Sequence, residues 1–378
     1  MPMTILGKPA IQLDPYMRFL DLTDPFVGFM SDAPDRSAPI RRDFGSLSYT
    51  STDIMTDAIL ANDGHIYTIP ASSPYVFDID PENGLITQFG YVSGTIKWGS
   101  GCLAPNGKIY GTGINYNNFC EIDPVNKNIS MFGSEKANMA SGGVVAPNGK
   151  IYIAPGYADG AIRILDPETK TVKKVLTNYG TASVHKWGTG TLHPNGKIYF
   201  FSASIYGNDT LEVNPENDTW RRIGPAGFHT VSNAVLAPNG WIYLFCASYS
   251  VFCKFNPVTE EFVTIQNYGI YEPRFNLAKL APNGLIYGVR ELTHLGLESE
   301  LGPDLKYSVF SFDPETDQFT YYAPYTEWDL DQYRMSVMHP NGKMYLLSKN
   351  YEYPIIELDI SSIPRNPQMC THTYFNRR

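Results

Sequence analysis

One hexapeptide recurs through this chain and constrains its fold more than any other feature. Pro-Asn-Gly, then a variable residue and a hydrophobic-Tyr pair, runs from Pro105 to Tyr110, Pro147 to Tyr152, Pro194 to Tyr199, Pro238 to Tyr243, Pro282 to Tyr287 and Pro340 to Tyr345. A degenerate first copy, Asn62-Asp63-Gly64-His65-Ile66-Tyr67, makes seven. The turn glycines Gly64, Gly107, Gly149, Gly196, Gly240, Gly284 and Gly342 are 43, 42, 47, 44, 44 and 58 residues apart. A second landmark follows each glycine: Asp80-Pro81, Asp123-Pro124, Asp166-Pro167, Asn214-Pro215, Asn256-Pro257 and Asp313-Pro314, with Asp359 in that place in the last copy.

Both landmarks are turn chemistry. Asn-Gly reads as a tight hairpin turn needing positive φ. An Asp or Asn before Pro accepts backbone amides while the proline presets φ. Between the turns the text alternates as strands do; the third unit reads as strands over 142–146, 150–153, 161–165 and 171–175. Four short antiparallel strands per ~40–50 residues, repeated seven times, predict an all-β fold, a seven-bladed β-propeller. The innermost strands agree. Four residues before each turn proline stand Ala58, Gly101, Gly143, Gly190, Ala234, Ala278 and Ser336, all small. Two before it stand Leu60, Leu103, Val145, Leu192, Leu236, Leu280 and Met338, all large. Blades converge on a channel, so their inner strands approach through small side chains and larger ones fill the widening wedge.

The seventh unit offers only three strands before Ser361-Ser362-Ile363-Pro364. Residues 40–45, Ile-Arg-Arg-Asp-Phe-Gly, resemble the fourth strands 86–90 and 220–224, so an N-terminal strand is expected to complete the last blade and latch the ring. The chain then divides into a Pro-rich N-terminal arm (1–37), the propeller (38–365) and a C-terminal tail (366–378). The sixth unit carries an insertion, the loop 291–306.

Composition narrows the function. Five cysteines in 378 residues read as reduced thiols, with Cys246 and Cys253 as two small buried neighbours. A net charge of −9 argues against a nucleic-acid partner and against an electrostatic membrane anchor. No apolar run is long enough to span a bilayer, and the N-terminal residues do not read as a secretory signal, so synthesis in the cytoplasm is expected. The histidines show no metal-ligand spacing, and no nucleophile or phosphate-loop motif is present, so no catalytic residue, metal or cofactor is expected.

The candidate binding residues lie on the face opposite the Asn-Gly and Asp-Pro turns. There the nearly repeated connections Ile96-Lys97-Trp98-Gly99 and His185-Lys186-Trp187-Gly188 place a cation beside an aromatic; the corresponding places hold Arg274-Phe275 and Gln332-Tyr333, and Arg334 follows as a further candidate. His229 and His294 can share that face. Such pairs at a channel mouth suit a carbohydrate, a small acidic ligand or the acidic loop of a partner. The alternative is that Trp98 and Trp187 wedge between blades while the lysines reach water.

The repeat Pro-Asn-Gly-Lys-Ile-Tyr followed by Asp-Pro-Glu-Thr resembles the repeats of virginiamycin B lyase and NHL-like propellers, over residues 38–365. In the lyase a histidine and acidic residues on one face hold magnesium and abstract a proton, and no motif here matches them. Two functions follow as expectations. The first is a non-catalytic interaction or structural propeller, a subunit of a larger assembly such as a phage virion (tail, fibre or capsid-decorating component), with protein partners met through residues 1–37 and 291–306. A Tyr- and Asn-rich, lightly charged composition motivates it, charged residues being 18%. The second is a metal-dependent lyase or lactonase-like enzyme with its site on the loop face.

Overall fold

The computed structural model describes residues 4–5, 8–9, 40–47, 55–95, 97–113, 118–134, 143–155, 160–177, 187–203, 209–224, 230–246, 251–267, 273–292, 307–322, 333–348 and 353–360. Among them there is no helix. Seven four-stranded antiparallel sheets are arranged as blades, six of them simple meanders from an inner to an outer strand. Blade 1 comprises Met55–Leu60, Ile66–Pro70, Val76–Asp80 and Leu85–Phe89. The inner strands of blades 2 to 7 are Trp98–Leu103, Gly143–Val145, Trp187–Leu192, Val231–Leu236, Pro273–Leu280 and Tyr333–Met338. Each touches the inner strand of the next blade, and that of blade 7 touches that of blade 1.

The fourth strand of blade 7 is Ile40–Gly45, paired antiparallel with Ile355–Asp359. Phe44 from this strand packs edge-on against Tyr345, ring centroids 5.3 Å apart. Of the N-terminal arm, only Thr4–Ile5 paired with Lys8–Pro9 is described. Residues 10–37 and the tail 366–378 lie outside the described residues. The insertion starts later than the sequence suggests, because the second strand of blade 6 runs on to Leu292.

The core consists of seven apolar layers, each between two adjacent blades rather than within one. Ile66, Phe77 and Ile79 of blade 1 meet Val337, Tyr345 and Leu347 of blade 7, while Ile164 and Tyr152 of blade 3 meet Trp187 and Phe200 of blade 4. The small inner positions have a definite cause. A Cβ on Gly101 would come within 2.5 Å of Ile69 Cδ1 from the preceding blade. Among the described residues the inner strand bulges in six blades, near its start as between Met55 and Asp57, or farther along as between Asn276 and Lys279 in blade 6.

The hairpin turn differs from the sequence expectation in one respect. Only the glycine has positive φ, 79° at Gly107. Gly107 N donates to Ala104 O and Ala104 N to Lys108 O. The turn is therefore a three-residue loop closed by a left-handed glycine. The asparagine instead serves as a brace, its Oδ1 accepting from Lys108 N (3.1 Å) while its Nδ2 donates to Tyr110 OH (3.0 Å). That explains the fixed four-residue interval between Asn and Tyr.

The tyrosine in turn staples one blade to the next. Tyr110, Tyr152 and Tyr243 donate their hydroxyls to Pro167 O, Pro215 O and Pro314 O, at 3.1, 3.2 and 2.9 Å. These carbonyls belong to the Asp-Pro or Asn-Pro turn of the following blade. In those turns the Asp accepts backbone amides as expected, Asp123 Oδ1 from Val125 N and Asn126 N, both at 3.0 Å.

The residue that ends each turn adds a charge rule. Lys127, Lys170, Asp218, Glu260 and Asp317 all have positive φ, between 49° and 60°. Each reaches back to the preceding blade and meets an opposite charge there. Lys127 meets Asp78 at 2.7 Å and Lys170 meets Glu121 at 3.0 Å. Asp218 meets Lys173 at 2.6 Å, Glu260 meets Arg221 at 2.5 Å, and Asp317 meets Lys254. Where the third strand carries an acid it also takes the turn lysine, as in Lys108–Glu121 and Lys197–Glu212 (2.8 Å each) and Lys343–Glu357 (2.9 Å). In blade 1, His65 and Asp78 fill those two places, 2.7 Å apart.

Candidate functional site

With the polar groups of the repeat spent on blade-to-blade contacts, the chemistry left for function lies at the channel and on the opposite, loop-bearing face. Of the sequence candidates there, His185, Lys186, His229 and His294 lie outside the described residues. Arg274 is in the inner strand of blade 6, opposite Glu291.

Lys97 and the two tryptophans are described, and all are buried. Trp98 joins the apolar layer between blades 1 and 2, its Nε1 donating to Asn118 O at 3.0 Å. Trp187 does the same between blades 3 and 4, with Asp209 O as acceptor at 3.0 Å. Lys97 does not reach water. Its Nζ donates to Ala71 O, Ser73 O and Gly94 O at 2.7, 2.8 and 3.0 Å, binding the loops around blade 1 together. Burial brings its pKa down to about 8.

His193 and His339, which replace the alanine before the turn proline, are also structural. Each accepts the amide of the residue two on and pairs through Nε2 with the next blade's turn glycine carbonyl. His193 reaches Gly240 O at 3.2 Å and His339 reaches Gly64 O at 3.0 Å, the latter joining blade 7 to blade 1. Cys246 and Cys253 are free, buried thiols, and burial together with the Cys246 thiol raises the pKa of Cys253.

Tyr333 and Arg334 lead to the site itself. Tyr333 is buried, donating to Pro354 O at 2.7 Å. Arg334, next to it at the inner-strand bulge, is exposed to the channel side and lines a cavity of about 250 Å³. The other walls are Asp57 of blade 1, Ser232 and Asn233 of blade 5, Leu277 and Lys279 of blade 6, and Met335 and Ser336 of blade 7. Residues from four blades therefore converge on the channel, all from inner strands.

The hydrogen bonds here are largely committed to holding blades in register. Asp57 Oδ2 accepts from Ser100 Oγ (2.5 Å) and Gly101 N (3.1 Å) of blade 2, and its Oδ1 from Ala58 N (2.9 Å). Ser232 Oγ lies 2.7 Å from Phe275 O and 2.8 Å from Phe245 O, its one hydroxyl hydrogen shared between these carbonyls. Asn233 Oδ1 accepts from Ala278 N at 3.1 Å, and Ser336 Oγ donates to Leu277 O at 3.0 Å. Lys279 is different. Protein surrounds it and burial lowers its pKa, the Asp57 carboxylate opposing that shift. It still touches channel solvent, and among the described residues nothing bonds its ammonium.

No family model matches the chain, and no curated protein matches its sequence. Solved structures do match in shape. A streptogramin B lyase superposes with a TM-score of 0.67 at 12% identity, over 85% of this chain and 98% of that one. Virginiamycin B lyase from Staphylococcus aureus gives 0.65 at 10%, over 85% and 99%. An extracellular domain assigned to a hybrid two-component system of B. thetaiotaomicron gives 0.57 at 8%, over 88% of this chain and 44% of that one. The likeness is one of fold. It supports the repeat-level resemblance seen in the sequence, and because a lyase and an extracellular domain of a two-component system share the shape, it does not select a function.

Proposed function

We propose that this chain is a non-catalytic interaction propeller working as a subunit of a larger assembly. The observation that carries the reading is the apolar surface at the rim. On the outer strands of blades 1 and 3, Leu85 and Leu176 are 58% and 62% exposed, and Met131 and Tyr321 are exposed on those of blades 2 and 6. Val125 and Val258 repeat the pattern at equivalent places in two Asx-Pro turns. Large apolar side chains recurring around a ring suit a partner that covers them. The low charge of the chain agrees with such a role, and the segments 1–37 and 291–306 are proposed to reach the partner. A phage virion is the assembly that the composition fits best, the chain being made in the cytoplasm and then incorporated.

Native mass spectrometry of the chain isolated from its natural source tests this. The expected result is a high-mass particle from which a Leu85→Lys, Leu176→Lys double variant is lost while its melt is unchanged. A lone monomer would overturn the reading. The likeness of fold to two lyases supports a second reading, a metal-dependent lyase or lactonase-like enzyme with its site on the loop face. Stoichiometric divalent metal together with turnover of virginiamycin B would establish that reading and displace the first.

A further inference from the structure

We infer that the channel cavity beside blade 6 is a binding site for a small organic carboxylate, held by Lys279, Arg334 and the side-chain amide of Asn233. The inference does not depend on the assembly reading.

Comparison of the seven inner strands isolates the first residue. Three places before the turn proline, or its equivalent, the other blades carry Ile59, Cys102, Val144, Thr191, Val235 and Val337, and blade 6 alone carries a lysine. A charge at a position otherwise given to packing is costly unless something pairs with it. Lys97, which is fully buried, is satisfied by three carbonyls. Lys279 has no such partner among the described residues, and no carboxylate there lies within ion-pair distance.

The backbone beside Lys279 is strained as well. The bulge of blade 6 falls between Asn276 and Lys279, and within it Leu277 has φ 62°. A leucine in the left-handed region is sterically strained, and such strain collects at functional positions. A bulge also re-aims the side chain that follows it.

The hydrogen-bond balance of the walls then selects the ligand. The charged acceptor is already engaged: Asp57 takes three donors, and the Asn233 carbonyl takes Ala278 N. The hydroxyl hydrogens of Ser232 and Ser336 are turned to backbone carbonyls. Among the described walls the strong groups left without a close partner are donors: the ammonium of Lys279, the guanidinium of Arg334 apart from its 3.3 Å contact with Tyr333 O, and the Asn233 Nδ2 hydrogens. Two cations against one carboxylate, with donors outnumbering acceptors, call for an anion, and arginine's planar fork suits a carboxylate. Leu277 and Met335 supply an apolar wall for a short carbon chain. A cavity of about 250 Å³ suits a small acid.

The test is calorimetric titration of the full chain with succinate, glucuronate and inorganic phosphate at fixed ionic strength. Saturable one-to-one binding of succinate or glucuronate is expected, weakened at least tenfold by Lys279→Met and by Arg334→Gln. Lys279→Met removes an unpaired buried charge, so its melt should hold or rise. If that variant fails to fold, Arg334→Gln, at an exposed side chain, decides the matter. No saturation by either acid, binding of phosphate alone, or unchanged affinity in the folded variants overturns the inference. A chain that assembles yet binds neither acid would refute this site and leave the assembly reading standing.

Discussion

Replacing Glu212 by glutamine removes one charge from an ion cluster of blade 4 that reaches blade 5 through Arg221, while keeping the shape. Glu212 is buried and accepts from Lys197 Nζ at 2.8 Å, Tyr199 OH at 3.1 Å, and Arg221 Nε and Nη2 at 2.7 and 2.8 Å. Arg221 also meets Glu260 of the next blade, at 2.5 Å. Removing one member of a fully buried pair costs about 3–5 kcal/mol. Here Arg221 and Lys197 are 47% and 33% exposed and recover water, so the loss should be smaller, about 2 kcal/mol. At about 2 °C per kcal/mol for a domain this large, the melt should fall by about 4 °C at pH 7.

The pH dependence gives the sharper check. Burial alone would raise the Glu212 pKa, but the bonds from Arg221 and Lys197 outweigh it and hold the carboxyl below its ordinary value. A depressed carboxyl contributes stability above its unfolded pKa, about 4.3, and loses it as pH falls through the folded value. The gap between wild type and Glu212→Gln should therefore close in acid. Circular-dichroism melts at pH 7 and pH 3 measure it. No gap at pH 7, or an equal gap at both, refutes the reasoning.

Other outcomes follow from the same contacts. Deleting residues 1–47 removes the strand paired with Ile355–Asp359, so the melt should drop markedly and aggregation rise from the bared edge; an unchanged melt on turbidity-controlled calorimetry would contradict the latch. Asp317→Lys should destabilise by setting a like charge against Lys254, and adding Lys254→Asp should recover most of the loss in urea titrations. Burial, against the bonds to Asn195 and Gly240 O, lowers the His193 pKa, so the unfolded chain binds the extra proton. Stability from this residue is full above about pH 6.5 and declines below it. His193→Ala, restoring the alanine of other blades, should flatten that decline in melts between pH 7 and pH 5.

The blades were legible in the sequence because their determinants are local. Gly107, Asp123 and Pro124 act on their own turns, and Gly101 or Gly190 marks an inner strand wherever it falls. The staples were not, because Tyr110 and Tyr243 find their acceptors 57 and 71 residues away, in turns that already had a local explanation. Lys97 beside Trp98 suggested a ligand because sequence shows adjacency but not the carbonyls of Ala71 and Ser73, which take up its charge. Lys279 did leave a signal, a single lysine in a column of small and apolar residues. That signal appears only when the seven inner strands are aligned three places before the turn, and its meaning needed the cavity that Asp57, Asn233 and Arg334 form around the channel.

The central claim is a division of labour: the repeat's own polar residues hold the ring together, and the exception in blade 6 binds. Melting and succinate or glucuronate titration of Tyr152→Phe and Lys279→Met side by side test it most directly. Tyr152 bonds Asp218 at 2.6 Å and Pro215 O across the blade boundary, so its variant should lose about 1–2 kcal/mol and bind the acid as before. Lys279→Met should keep its melt and lose the acid. A Tyr152→Phe protein that melts normally but cannot bind, or a Lys279→Met protein that binds normally but melts early, would contradict the account.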